Sequence, residues 1–226
     1  MEAITSKLFP VLQKIRSKLD GAHVNLSGDR DIECSWVASQ MPSGPGKALD
    51  FGCGSSYLAL IAARKGFDVT AIDLQAIQVP YTYPKYRFIQ GDILSNLPKG
   101  TFSLIINCSA IEHVGLAGRY GVVKNEIEAD LTTMKKLEEL MKAGGLMLLT
   151  IPVGQDAVFS PLHRVYGKRR LPALLDGYFV EKKEFWTKDY SNRWKLCDEQ
   201  TALDFRAEFN SHRKVYALGL YVLRKT

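Results

Sequence analysis

A short apolar run, Lys47 to Phe51, passes straight into Gly52-Cys53-Gly54 and then into a helix-forming stretch, Tyr57 to Lys65. Strand, glycine turn and helix in immediate succession leave few folds open. The turn must reverse the chain within a few residues and lie close to whatever sits on it. Glycine, with no Cβ, obstructs neither. In open α/β sheets a ligand binds beside such a turn, at the carboxyl ends of the strands.

The alternation continues downstream. Asp68 to Ile72, Tyr86 to Ile89, Phe102 to Asn107 and Leu146 to Ile151 read as further strands. Glu126 to Lys142 reads as a long helix with Ile127, Leu131, Met134, Leu137 and Met141 on one face, closed by Ala143-Gly144-Gly145. Strands alternating with helices predict a mostly parallel sheet. The tail differs. Tyr178 to Phe185 and Lys214 to Leu223 are strand-like runs on either side of a helical stretch near Glu199 to Phe209, and they predict an antiparallel edge pair. Ahead of the first strand, Ile4, Leu8, Val11, Leu12, Ile15 and Leu19 fall at helical spacing. Asp29 to Met41 reads as a second helix, containing Trp36.

A chain of 226 residues suits one domain with one core. It divides into a helical cover over 1–46, a ligand-binding core over 47–154, and a substrate loop with the terminal strand pair over 155–226. No apolar run approaches the roughly 20 residues that a bilayer span needs, so no membrane role is expected. Met1 to Asp20 has neither a continuous apolar centre nor a small-residue cleavage site, so it reads as a basic amphipathic helix, not a secretion signal. Cys34, Cys53, Cys108 and Cys197 show no CxxC pair and no zinc spacing. Reduced thiols in the cytoplasm and no metal centre are the expectation. The net charge of +6 is spread out, with one knot at Lys168-Arg169-Arg170. Nucleic-acid binders show stripes of Lys and Arg with interleaved aromatics. A nucleic-acid partner is therefore disfavoured, and the knot reads as a solvated loop. The sequence carries no signal of oligomeric state.

The strand ends name a ligand class. Asp73 closes Val69-Thr70-Ala71-Ile72-Asp73, where a carboxylate can accept both hydroxyls of a ribose. The third strand runs out in Gln90-Gly91-Asp92, and Asp92 can accept from the exocyclic amine of adenine. Glycines, ribose reader and base reader at successive strand ends imply a nucleoside. Two features argue against NAD. The third glycine of the dinucleotide fingerprint falls on Tyr57, and Asp50 beside the loop would oppose a pyrophosphate at the helix N-terminus. S-adenosylmethionine (SAM) has no phosphate, and its ammonium suits Asp50.

Asp50-x-Gly52-x-Gly54, Asp73, Gly91-Asp92 and Met141-Lys142-Ala143-Gly144-Gly145 together resemble the ordered motifs of class I SAM-dependent methyltransferases. The likeness covers Lys47 to Gly154 and departs at Ser56, where that family usually has a third glycine. The resemblance implies a Rossmann-like α/β fold with helices on both faces of a mostly parallel seven-stranded sheet. Its order would be 3-2-1-4-5-7-6, with the last strand antiparallel. It implies SAM as cofactor, held by Asp50, Gly52, Cys53, Gly54, Asp73, Leu74, Asp92, Ile93 and Asn107.

In this fold the acceptor meets the methyl group where the fourth strand ends, here Ile105-Ile106-Asn107-Cys108-Ser109-Ala110-Ile111-Glu112-His113. Many methyltransferases of nucleobase or glutamine amines carry Asn or Asp, then Pro-Pro and an aromatic there. Asn107-Cys108-Ser109-Ala110 lacks that signature, and no Pro-Cys nucleophile appears. The segments Ile111 to Gly121, Pro152 to Asp156 and Pro161 to Gly167 resemble a methyltransferase-like family first noted as a domain of unknown function, which supplies no substrate. They are expected over the cleft. His113 and His163 are the candidate bases, because imidazole titrates near neutral pH, and Glu112 stands beside the first. Arg119 and Tyr120, with Arg164 and Tyr166, are candidate substrate-binding residues. Packing and capping roles compete for each. Trp36 or Arg30 could close the pocket. The expected activity is methyl transfer to a nucleophilic O or N of a small-molecule acceptor. An RNA- or protein-directed enzyme and a non-catalytic SAM-binding protein stay open.

Overall fold

The computed structural model describes residues 27–95, 98, 100–118, 120–189, 193–209 and 214–225. The helix expected over Met1 to Asp20 lies outside them, as does Arg119. The first half alternates α1 (Ser27–Gln40), β1 (Gly46–Phe51), α2 (Leu58–Arg64), β2 (Phe67–Asp73), β3 (Tyr86–Gln90), β4 (Phe102–Cys108), α3 (Ala129–Leu140) and β5 (Met141–Val153). A single 3-10 turn, Ile111–His113, follows β4. Then come β6 (Ala157–Phe159), β7 (His163–Val165), α4 (Arg170–Leu174), β8 (Tyr178–Lys188), β9 (Trp194–Cys197), α5 (Glu199–Asp204), β10 (Glu208–Phe209), β11 (Lys214–Val215) and β12 (Ala217–Lys225).

The main sheet runs β3-β2-β1-β4-β5-β12-β8-β9. Neighbours from β3 to β5 are parallel, and β12 is antiparallel to both β5 and β8. This is the expected Rossmann-like order with one addition. The sheet has eight strands, not seven, because β9 pairs back onto β8 from Phe185↔Cys197 to Lys188↔Trp194. The expected antiparallel pair forms between β8 and β12, and β9 takes the edge beside β8. β12 lies between β5 and β8, and its Ala217 to Val222 stretch is buried throughout, as a strand covered on both faces must be.

Side chains alternate across each strand, and this sorts the core into two layers. Leu49, Phe51, Ile105, Leu149 and Ile151 pack with Met134 and Leu137 of α3. Ala48, Leu104, Ile106 and Leu148 pack on the other face with Trp36 and Val37 of α1 and Leu58 and Ala62 of α2. The helix read from Glu126 to Lys142 is shorter at both ends. Ile127 is 74% exposed before α3 begins, and Met141 already belongs to β5, paired with Phe102. Among the described residues no helix is long and apolar enough to cross a membrane.

One buried ionic knot ties the second half to the first. Asp130, fully buried in α3, accepts from Arg170 Nε at 3.0 Å and Nη2 at 2.5 Å, and from the Tyr166 hydroxyl at 3.0 Å. Arg164 Nε lies 3.7 Å away, and its guanidinium also donates to the carbonyls of Val114 and Glu126. Arg164 thereby holds both ends of the loop between β4 and α3. Removing one partner of a buried pair costs about 3–5 kcal/mol, because the other charge is left uncompensated. Asp130→Ala is expected to lower unfolding stability by that amount in urea titration. A loss below about 1 kcal/mol, the range of exposed pairs, would show that the knot does not hold the loop.

Candidate active site

A cavity of about 560 Å³ opens at the carboxyl ends of β1, β2, β3 and β4. Its size falls in the range of small-molecule sites. The β1 turn forms one wall. The amides of Gly52 and Cys53 both donate to the Ile72 carbonyl, at 2.9 and 3.3 Å, which folds the turn over β2. Gly52 (φ +63°) has no room for a Cβ, which would collide with Ala110. Gly54 (φ +48°) differs: a Cβ there would meet no protein atom within 4 Å, and the residue faces the cavity.

Asp50, Cys53, Asp73, Leu74, Asp92 and Ile93 line the cavity with the two glycines. Asp73 accepts the Gly54 amide at 2.9 Å and the Gln75 amide at 2.8 Å, so its carboxylate is pinned at the β2 end. Asp92 accepts the Leu94 amide at 2.9 Å. Asn107 does not join them. It shares the face of Ile105, is fully buried, and sets its Nδ2 3.6 Å from Met134 Sδ. The two-residue alternation of β4 sends Cys108 to the opposite face, and Cys108 reaches the cavity instead.

The acceptor end divides in the same way. His113 and Tyr120 line the cavity, with their rings edge-on at 5.4 Å. Glu112 lies just beneath, 1% exposed, and accepts from the Ser109 hydroxyl at 2.6 Å. Ser109 itself takes a left-handed backbone conformation (φ 51°) that side chains other than glycine seldom adopt. His163, Arg164 and Tyr166 are corrections, since none of them reaches the cavity. β7 is a buried strand, not a cleft loop. His163 packs between Phe209 and Tyr216, and Arg164 and Tyr166 spend their polar groups in the Asp130 knot. Trp36 is core on the α2 side, whereas Arg30 does line the cavity. Cys34, Cys108, Ser109 and Glu126 also line it and were not picked from the sequence. Arg30 and Cys34 stand one helical turn apart, a spacing that marks a shared face but not what it meets.

Asp50 carries the main electrostatic feature. It is 1% exposed, accepts from the Ala59 amide, and leaves Oδ2 without a hydrogen-bond partner. Burial pushes its carboxyl up to about 8. A buried carboxyl oxygen that faces a cavity and lacks a donor fits a cationic group in the ligand. The ammonium of SAM is such a group, and the pinned Asp73 and Asp92 fit its nucleoside. The residues present therefore suit this cofactor.

Comparisons with known proteins agree with the geometry. A methyltransferase-domain family matches residues 48–126. The ubiquinone biosynthesis O-methyltransferase of Rickettsia akari is 29% identical over 167 residues, which is 67% of this chain and 66% of that protein. Other curated methyltransferases match over 32% to 52% of their own length. Two solved N-methyltransferases with S-adenosylhomocysteine share the fold. NodS of Bradyrhizobium japonicum has TM-score 0.54 at 12% identity, over 87% of this chain and 86% of that one. The 1,6-didemethyltoxoflavin-N1-methyltransferase of Burkholderia thailandensis has TM-score 0.52 at 14% identity, over 99% and 87%. Fold and matched domain are those of class I SAM-dependent methyltransferases, and the chain spans two thirds or less of the length of the curated relatives it matches. The chain belongs to the family described as Caenorhabditis protein of unknown function, DUF268, which matches residues 94–225.

The raised carboxyl of Asp50 sets a pH dependence. A folded pKa near 8, above the unfolded value of 3.8, makes the protonated form the stable one in the free protein. Its contribution to stability is complete below the unfolded value and fades as pH rises through about 8. A ligand ammonium requires the ionised form. Binding of S-adenosylhomocysteine is therefore expected to release a proton from Asp50, and to tighten by up to about tenfold per unit from pH 6 to 7.5. Calorimetry in buffers of different ionisation enthalpy measures the release, and Asp50→Asn should abolish it. Proton-neutral, pH-independent binding by the wild type would contradict the assignment.

Proposed function

We propose that this protein transfers the methyl group of SAM to a nucleophilic oxygen or nitrogen of a small-molecule acceptor. The observation that carries the reading is His113 at the acceptor end of the cavity, with its ring held in one tautomer. Its Nδ1 lies 2.5 Å from the Leu162 carbonyl, which can only accept, so Nδ1 bears a proton and the lone pair of the neutral ring is on Nε2. Nε2 lies 3.8 Å from Glu112 Oε1.

Bound SAM supplies an already activated methyl group on a sulfonium. The chain's own work is positioning, exclusion of water and movement of one proton. Asp73 would take the ribose, Asp92 the adenine amine, and Asp50 the ammonium. Arg30 suits the ligand's carboxylate. Nε2 of His113 would take the proton of an acceptor hydroxyl, which favours oxygen over nitrogen as the nucleophile. Tyr120 and Glu126 stand where they can hold the acceptor. Its volume supports a small acceptor, as does the state of the basic knot. Lys168, Arg169 and Arg170 are each matched to an acid, with Asp204 at 2.6 Å, Asp156 at 3.8 Å and Asp130 at 2.5 Å. That leaves little free charge for docking RNA.

Incubation with methyl-labelled SAM and fractionated extract tests the acceptor class. Label is expected in the small-molecule fraction, and label in RNA or protein would overturn the reading. A general base contributes about a hundred- to ten-thousand-fold. His113→Ala is therefore expected to lower turnover at least about a hundredfold while S-adenosylhomocysteine affinity holds. Near-normal turnover would leave a site that works by proximity alone.

A further inference from the structure

The first turns of α1 are fixed at two points. Asp29 takes the Tyr216 hydroxyl, just ahead of β12, on one oxygen and the Arg30 amide on the other at 2.7 Å. Beside it, Gly28 lies so close to the Trp194 ring of β9 that a Cβ there would stand 3.3 Å from it. One turn later Glu33, fully buried, accepts from the Thr150 hydroxyl of β5 at 2.7 Å. Arg30 lies between these anchors and lines the cavity. Methyl transfer as read above gives Glu33 no task.

Glu33 tethers the guanidinium as well as the helix. The Arg30 side chain is 54% exposed, and its Nη1 lies 3.5 Å from Glu33 Oε2, a buried oxygen that has no hydrogen bond. Burial pushes the Glu33 carboxyl up to about 8 against the pull of Arg30, and in either protonation state it keeps acceptor capacity for the guanidinium. Such a pair adds little to stability, because desolvation of the buried carboxyl offsets the attraction. Its effect is on where the guanidinium sits. A free arginine loses rotamer freedom when it binds a ligand, whereas a held one has already lost it. Charge points to the ligand. Asp50, Asp73, Asp92 and Glu126 line the cavity, and Arg30 is the one Lys or Arg among the described residues that do. A zwitterionic amino-acid end, with Asp50 on its ammonium, needs one cation for its carboxylate.

We propose that Glu33 is a positioning residue, which holds the Arg30 guanidinium at the cavity wall to receive the carboxylate of the cofactor's amino-acid end. The ligand rests on the cofactor reading above; the tether does not. Thr150 aims Glu33, Glu33 aims Arg30, and α1 fixes the spacing between the last two.

Two measurements on the full chain test this. NMR relaxation of the Arg30 Nε–H group in the ligand-free protein reads the tether. The group is expected to be ordered in the wild type and mobile in Glu33→Met, a swap of similar length that leaves no charge in the core. Equal mobility in both would overturn the proposal. Calorimetry with S-adenosylhomocysteine and with its decarboxylated analogue then reads the ligand. Arg30→Ala and Glu33→Met should each bind S-adenosylhomocysteine at least about fivefold more weakly than the wild type and bind the analogue unchanged. Combining the two substitutions should add less than about a twofold further loss. A Glu33→Met protein that weakens both ligands alike would show a structural role only, and one that weakens neither would show none; each overturns the proposal. Should Glu33→Met fail to melt cooperatively, Thr150→Val decides, because it frees Glu33 and keeps both charges. It should weaken S-adenosylhomocysteine and not the analogue, and an unchanged ratio of the two affinities would overturn the proposal. A wild type that binds both ligands equally removes the carboxylate assignment alone. A wild type that binds neither removes the cofactor reading and this assignment with it.

Discussion

The carboxyl group of Asp50 sits at the end of β1 with one side on the Ala59 amide and Oδ2 unmatched inside the protein. Leaving a buried polar atom without a partner costs roughly 1–3 kcal/mol. A fold keeps such a group where a ligand completes it. The surrounding geometry serves that completion. The glycine turn folds over the Ile72 carbonyl, Asp73 is pinned by the Gly54 amide, and the parallel order of β3, β2, β1 and β4 brings their carboxyl ends to one rim. Moving any of these strands would separate Asp50, Asp73 and Asp92.

A second buried carboxylate, Asp130, does for the acceptor side what the sheet does for the cofactor side. The β4–α3 loop carries Val114, Gly115, Tyr120 and Val122 into the cavity wall. That loop has little secondary structure of its own. Arg164 of β7 satisfies carbonyls at both its ends, and Asp130 neutralises the guanidinium. The small β6–β7 hairpin and α4, which lie inside the family match over 94–225, therefore shape this wall of the cavity without lining it.

The cavity wall at the ends of β1, β2 and β3 was legible because each strand end carries its own short motif, local in sequence. The parallel core, the glycine turn, Asp50, Asp73 and Asp92 could all be read from short windows. Asn107 was misread because alternation along β4 was not carried to its last residues; it shares the face of Ile105, not that of Cys108. The His163 to Tyr166 segment was misread for a different reason. Its polar residues look like a cleft loop, but the partner that absorbs them, Asp130, lies more than thirty residues earlier in the chain. Pairing over that separation leaves no local trace. The extra strand β9 was likewise invisible, since Trp194 to Cys197 spans only four residues and all of them stay at least partly exposed.

The central claim is that the cavity at the strand ends is built for a nucleoside without phosphate, seated against the β1 glycine turn. Titration calorimetry of S-adenosylhomocysteine and NAD, on the wild type and Gly54→Val, tests it most directly. The account predicts one-to-one binding of S-adenosylhomocysteine by the wild type and none of NAD. It also predicts loss of that binding in a Gly54→Val protein that still unfolds cooperatively, because the new side chain enters space that no protein atom fills. Tight NAD binding without S-adenosylhomocysteine binding, or normal affinity in Gly54→Val, would contradict it.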